Sequence, residues 1–126
     1  AVMSLTLGDP CDPSTQVGPV IDDRAKRRIE EFIALGTATH RVIVRRDTEG
    51  PGYFVGPTVF ADIGANDRLA QEEIFGPVLA VMKALTMAEA LEMANATRYA
   101  LTGGIYSRSP ANLAMAREQF DVGNLY

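Results

Sequence analysis

The feature that most constrains this chain is an alternation of two hydrophobic periods over residues 78–126. Val78-Leu79-Ala80-Val81-Met82 is a continuous apolar run, consistent with a strand covered on both faces. Thr86-x-x-Glu89 then carries a capping-box pattern, in which a hydroxyl and a carboxylate satisfy the orphan donors of a helix start. Met87, Ala90, Leu91 and Ala94 form the apolar stripe of that helix. Gly103 and Gly104 introduce a strand at Ile105-Tyr106-Ser107. Ser109 followed by Pro110 reads as an N-cap with proline at the first helical position, and Leu113, Ala116 and Phe120 give that helix its inner face. A last strand starts near Val122. Strand, helix, strand, helix, strand predicts the α/β class, with right-handed crossovers and a mainly parallel sheet flanked by helices.

The first half is punctuated differently. Gly8, Pro10, Pro13, Gly18 and Pro19 make residues 8–20 a loop. Asp22 or Asp23 can cap a following helix whose inner face is Ala25, Ile29, Phe32 and Ile33, with Gly36 as its C-terminal stop. Residues 41–45 (Arg-Val-Ile-Val-Arg) predict a short strand, and Glu49-Gly50-Pro51-Gly52 a turn. Tyr53 to Phe60 reads as extended, although Pro57 argues against a fully paired central strand. Asp67 to Gln71 fits one helical turn.

Length and composition fit one domain with a real core: 126 residues, 47% hydrophobic and 22% charged. The net charge of -4 excludes the basic footprint of a nucleic-acid binder. The densest basic cluster, Arg24, Lys26, Arg27 and Arg28, runs into Glu30 and Glu31 and reads as a solvated helix face. No stretch approaches the ~20 apolar residues of a bilayer span, and a single cysteine makes no internal disulfide. The expectation is therefore a cytoplasmic protein with no membrane segment and no nucleic-acid partner. The opening Ala1-Val2-Met3 and the closing Val122-Gly123-Asn124-Leu125-Tyr126 lead to the further expectation that the chain is a segment of a longer one.

Generic chemistry is scarce. No Gly-rich phosphate loop and no Cys/His cluster with metal-ligand spacing is present, so no metal site is expected. His40, the only histidine, has no nucleophile near it in sequence and is assigned a structural or exposed role. Cys11 lies in Gly8-Asp9-Pro10-Cys11-Asp12-Pro13, where the neighbouring carboxylates disfavour a thiolate; it reads as a bystander in a loop. Glu72-Glu73-Ile74-Phe75-Gly76-Pro77 immediately precedes the buried run. Adjacent carboxylates in an extended segment point to opposite sides, which makes a poor acid/base pair but lets one of them face a ligand. A carboxylate accepts from two sugar hydroxyls, and an aromatic two residues on can pack against a flat ring. From chemistry alone, solvated acids and a core phenylalanine are the simpler reading.

Three segments in order carry a resemblance. Gln71-Glu72-Glu73-Ile74-Phe75-Gly76-Pro77-Val78 resembles the E-E-[IV]-F-G-P-V signature of the aldehyde dehydrogenase superfamily. Gly18-Pro19-Val20-Ile21 resembles that family's G-P-[LVI] segment before a helix, and Gly52-Tyr53-Phe54-Val55-Gly56-Pro57-Thr58-Val59-Phe60 its segment ending in P-T-[VIL]-[FIL]. Leu101-Thr102-Gly103-Gly104-Ile105-Tyr106-Ser107-Arg108-Ser109-Pro110 and the ending from Phe120 are similar to the pyrroline-5-carboxylate dehydrogenase subgroup.

The resemblance covers essentially the whole chain and implies an NAD-dependent enzyme. In that family a cysteine attacks the aldehyde carbon, hydride passes to the nicotinamide, and a glutamate-activated water hydrolyses the thioester. The subgroup's substrate is glutamate γ-semialdehyde, oxidised to glutamate in proline catabolism, and a homo-oligomer is expected. Carried over by motif, Glu73 would hold the nicotinamide ribose hydroxyls and Phe75 would contact the nicotinamide end of the cofactor. Cys11 does not match the family's nucleophile segment, so no catalytic residue is assigned. Residues 1–126 are expected to be part of a catalytic domain, without its nucleophile segment, its NAD-binding domain or its substrate-anchoring loop, and inactive alone. Another NAD(P)-dependent semialdehyde dehydrogenase and a non-catalytic oligomerisation module are the alternatives.

Overall fold

Helix α1 (Asp23–Thr39) organises the first part of the chain. Asp22 caps it, accepting the Ala25 N–H at 2.7 Å. Ile29, Phe32 and Ile33 are buried on its inner face, each stabilising the fold by about 1.5–3 kcal/mol through area removed from water. Gly36 does not stop the helix, which runs on to Thr39. A Cβ at Gly36 would stand 2.7 Å from the Phe60 ring and 2.9 Å from Leu69. This glycine therefore serves close packing rather than termination. The basic residues of the first turns are mostly solvated: Arg27 pairs with Asp23, and Lys26 lies 3.9 Å from Glu30.

The helix packs against a three-stranded sheet ordered β1 (Arg41–Arg45), β2 (Thr58–Ala61), β3 (Val78–Val81). β1 and β2 are antiparallel with an irregularity between Val42 and Val44, and β2 and β3 are parallel, Thr58 opposite Val78. Strand β2 is buried along its whole length, so Pro57 ends up just outside a central strand instead of within it. The core joins Ile29, Phe32 and Ile33 with Val55, Phe60, Ile63, Leu69 and Ile74. The single turn α2 (Arg68–Gln71) lies between β2 and β3, with Asp67 at its N-cap position. The structure, a computed structural model, describes residues 1–48 and 50–126. The turn expected at Glu49-Gly50-Pro51-Gly52 includes Glu49, outside the described residues; Gly50 and Gly52 both take positive φ, +98° and +102°.

The length of the chain suggests one domain, but the structure divides it into two compact units, Ala1–Met82 and Lys83–Tyr126. In the second, α3 (Met87–Asn95) starts as expected: the Thr86 hydroxyl accepts the Glu89 N–H at 3.1 Å. The Glu89 carboxylate closes the box one residue early, accepting the Leu85 N–H at 2.6 Å. Leu91 is buried, whereas Ala94 of the expected stripe is exposed. Strand β4 is Thr102–Gly103, ahead of the expected Ile105-Tyr106-Ser107. After α4 (Pro110–Gln119), capped by Ser109, strand β5 (Asn124–Leu125) pairs with β4 in parallel. The ladder reaches Ile105, whose N–H donates to the Tyr126 carbonyl at 3.0 Å. β3 belongs to the three-stranded sheet of the first unit. The fold is α/β, with its strands divided between two sheets.

Candidate functional site

The segment 72–77 enters β3 through a backbone conformation that its composition does not announce. Phe75 has φ +57°, in the left-handed region, where a non-glycine residue is disfavoured by about 1–2 kcal/mol. Such strain persists only where the surroundings over-determine it. Here four contacts do so. Ile74 is buried in the core, in the same cluster as Ile29 and Phe32. Gly76 lies so close to Ile29 that an added Cβ would come within 2.7 Å of it. The Pro77 carbonyl accepts the Thr58 N–H at 2.9 Å, which ties the end of the segment to β2.

The fourth contact is long-range. Arg28, on the first turns of α1, sends Nη1 to the Ile74 carbonyl and Nη2 to the Glu73 carbonyl, both at 2.8 Å. A guanidinium is a rigid fork of donors, suited to two successive acceptors. Its carbon also stands 5.1 Å from the centre of the Phe32 ring. Each hydrogen bond contributes on the order of 1 kcal/mol after solvent screening, enough between them to offset the strain at Phe75. Grouping Arg28 with a solvated basic face was therefore incomplete. Nothing in the local pattern could have revealed its role, because the partners lie 45 and 46 residues away.

The outcome is an outward-facing pair. Glu73 is exposed and Phe75 is 75% exposed, with buried Ile74 between them. The reading of Phe75 as a core residue fails: its positive φ turns the ring outward from the cluster that holds Ile74. The expected strand-like alternation is present in effect, although a left-handed turn and not an extended backbone produces it. The neighbouring acid behaves differently. Glu72 Oε1 accepts from Arg68 Nε at 2.6 Å, and this bond and charge raise the Arg68 pKa above its ordinary value. The two adjacent carboxylates thus differ in surroundings: Glu72 is half-buried against Arg68, and Glu73 is exposed. An exposed carboxylate beside an exposed aromatic ring, on a rigidly held backbone, suits the sugar hydroxyls and flat ring of a nucleoside.

The other singled-out residues lie elsewhere. Cys11 is exposed on a turn braced by Asp9 and Asp12, whose carboxylates accept the Cys11 and Ser14 N–H groups, both at 2.8 Å. The Ser14 N–H lowers the Asp12 pKa. His40 caps the C-terminal end of α1 with its Nε2 3.8 Å from Asp67. Among the described residues no group of side chains could hold a metal ion, and no helix is long and apolar enough to cross a membrane.

A model of the aldehyde dehydrogenase family matches residues 1–126. The chain belongs to the aldehyde dehydrogenase family. It is 51% identical over 123 residues to a 1-pyrroline-5-carboxylate dehydrogenase of Geobacillus sp. (strain WCH70), covering 97% of this chain and 24% of the relative. Among solved structures, 1-pyrroline-5-carboxylate dehydrogenase from Thermus with bound NAD superposes with a TM-score of 0.93 at 44% identity, covering 99% of this chain and 24% of that one. An aldehyde dehydrogenase of Mycobacterium tuberculosis complexed with NAD+ gives 0.89 at 36% identity, over 98% of this chain and 26% of its own. The chain thus spans about a quarter of the length of the curated relatives it matches. For this family member, the signature 72–77 falls on the Arg28-held turn, and the segment 52–60 supplies the fully buried strand β2.

Proposed function

We propose that this chain forms part of the catalytic domain of an NAD-dependent 1-pyrroline-5-carboxylate dehydrogenase, which oxidises glutamate γ-semialdehyde to glutamate. The observation that carries the reading is the outward pair Glu73 and Phe75, held on a strained turn that the packed core and the Arg28 fork sustain. Glu73 accepts hydrogen bonds from the nicotinamide ribose, and Phe75 packs against the nicotinamide end. NAD, when bound, supplies the hydride acceptor. This chain's residues bind and orient it and exclude water from one side of it. The nucleophile and general base are not assigned to any residue of this chain, and Cys11 takes no part. The whole catalytic domain is taken to have a mainly parallel sheet flanked by helices. Likeness to proteins named for this activity, including one with NAD bound, supports the substrate and cofactor. The same reading takes the enzyme to be cytoplasmic and homo-oligomeric.

The test uses the full-length protein. Pyrroline-5-carboxylate is supplied with NAD+, and NADH formation is followed by absorbance. Turnover is expected with pyrroline-5-carboxylate in preference to other semialdehydes, and Glu73→Gln should raise the KM for NAD+ without lowering the melting temperature. A preference for a different semialdehyde removes the substrate assignment, and unchanged cofactor kinetics in Glu73→Gln removes that residue from the site.

A further inference from the structure

The turn that presents Glu73 and Phe75 is held from a distance, and the geometry of that hold assigns a role to a residue outside the 72–77 signature. We infer that Arg28 is a positioning residue for the cofactor wall: its guanidinium fork on the Glu73 and Ile74 carbonyls sets the direction in which Glu73 and Phe75 face. The inference rests on the reading of Glu73 and Phe75 as cofactor-binding residues, and deepens it.

Three observations carry it. Arg28 gives one donor to each of two successive carbonyls, Glu73 and Ile74, at 2.8 Å. A fork of this kind fixes the planes of two successive peptides, Glu73–Ile74 and Ile74–Phe75, relative to each other, where a single bond would hold only one. The second of these peptides leads directly into Phe75, the residue with the left-handed φ of +57°. Arg28 also precedes Ile29, which packs against Gly76 on the far side of Phe75. One turn of a rigid helix therefore grips the segment both before and after the strained residue. Lysine is not equivalent here: its ammonium is a compact charge without the planar fork, so it reaches the carbonyls without orienting them together.

The role predicts a specific kinetic pattern, because Arg28 acts through the backbone of the cofactor wall and not through the substrate. In the full-length protein, Arg28→Ala should weaken NADH about tenfold, read from the fluorescence of the bound nucleotide, and raise the KM for NAD+ to a similar degree. The KM for the aldehyde should stay within about twofold. Arg28→Lys should recover only part of the loss. The double variant with Glu73→Gln should lose less NADH affinity than the sum of the two single losses, since the Glu73 share is already gone and only the Phe75 share remains for Arg28 to position.

Additive losses in the double variant mean that Arg28 acts independently of Glu73 and overturn the inference. So does Arg28→Lys binding NADH as tightly as the unsubstituted protein, because charge alone would then suffice. Normal NADH binding in Arg28→Ala beside a weakened Glu73→Gln overturns the positioning role while leaving the cofactor wall standing. Normal binding in both variants overturns the cofactor wall itself, and the inference with it. If Arg28→Ala does not fold, Arg28→Lys and Arg28→Gln carry the same comparison, and an equal rise in both KM values there marks a merely structural residue.

Discussion

Replacing Phe75 with asparagine in the full-length protein separates two things that a phenylalanine usually does together. Asparagine is among the few residues that tolerate the left-handed region, so the φ of +57° need not change. The substitution removes only the ring. That ring is 75% exposed, so about a quarter of the roughly 200 Å² of a phenylalanine is withdrawn from water, which stabilises the fold by about 1 kcal/mol. The easier left-handed conformation returns a comparable amount, on the order of 1 kcal/mol. The net change in stability should therefore lie within about 1 kcal/mol, a shift in melting temperature of no more than a few degrees. A phenylalanine packed in a core behaves otherwise, and its truncation costs about 3–5 kcal/mol. Cofactor binding should change in the opposite proportion. Loss of an aromatic contact with a flat ring is worth about 0.5–1.5 kcal/mol beyond area burial, or roughly two- to tenfold in the NADH dissociation constant. Differential scanning fluorimetry and NADH fluorescence titration on the same preparation give both numbers. A fall of more than about 2 kcal/mol in stability would show that the rest of the enzyme buries the ring. Unchanged NADH affinity would show that it faces something other than the cofactor. Either result refutes the reasoning.

Gly36→Ala gains about 1 kcal/mol of helix propensity. It also drives a methyl into the buried ring of Phe60, a clash of about 1–3 kcal/mol; thermal unfolding should show net destabilisation, and a stabilised variant would mean that the helix and sheet can move apart. Thr86→Ala removes the hydroxyl that accepts the Glu89 N–H and should cost about 1 kcal/mol, read as a lower urea midpoint. Asn95 links the end of α3 to the end of α4, donating to the Gln119 carbonyl at 2.7 Å and accepting the Asp121 N–H at 2.9 Å. Asn95→Ala should raise the amide exchange rate of Asp121, and unchanged exchange would show that this link does not protect it. The Asp12 carboxyl, lowered by the Ser14 N–H, should titrate below its ordinary value of 3.8. Because the folded pKa is depressed, its contribution is complete above the unfolded value and is lost as pH falls through the folded one, so an NMR titration should find no change from this group above about pH 5.

Local chemistry determined much of this protein without reference to the fold. The caps at Asp22, Thr86 and Ser109 start their helices where those side chains occur, because a cap needs only a side-chain oxygen and a backbone N–H two or three residues on. The spacing of Ile29, Phe32 and Ile33 marked the buried face of α1 for the same reason. The family, too, was readable from three short segments in order. What depends on sequence-distant partners was decided only in three dimensions. Gly36 and a helix-stopping glycine look alike until Phe60 is brought against it. Val78–Val81 pairs with β2, and β4 and β5 pair with each other, because pairing is chosen among strands and not within them. Arg28 could not be told from its basic neighbours, since its two acceptors are backbone carbonyls that carry no trace in residue type. The outward turn of Phe75 likewise follows from a core that closes around Ile74 on one side and Gly76 on the other, an arrangement that exists only once α1 and the sheet have met.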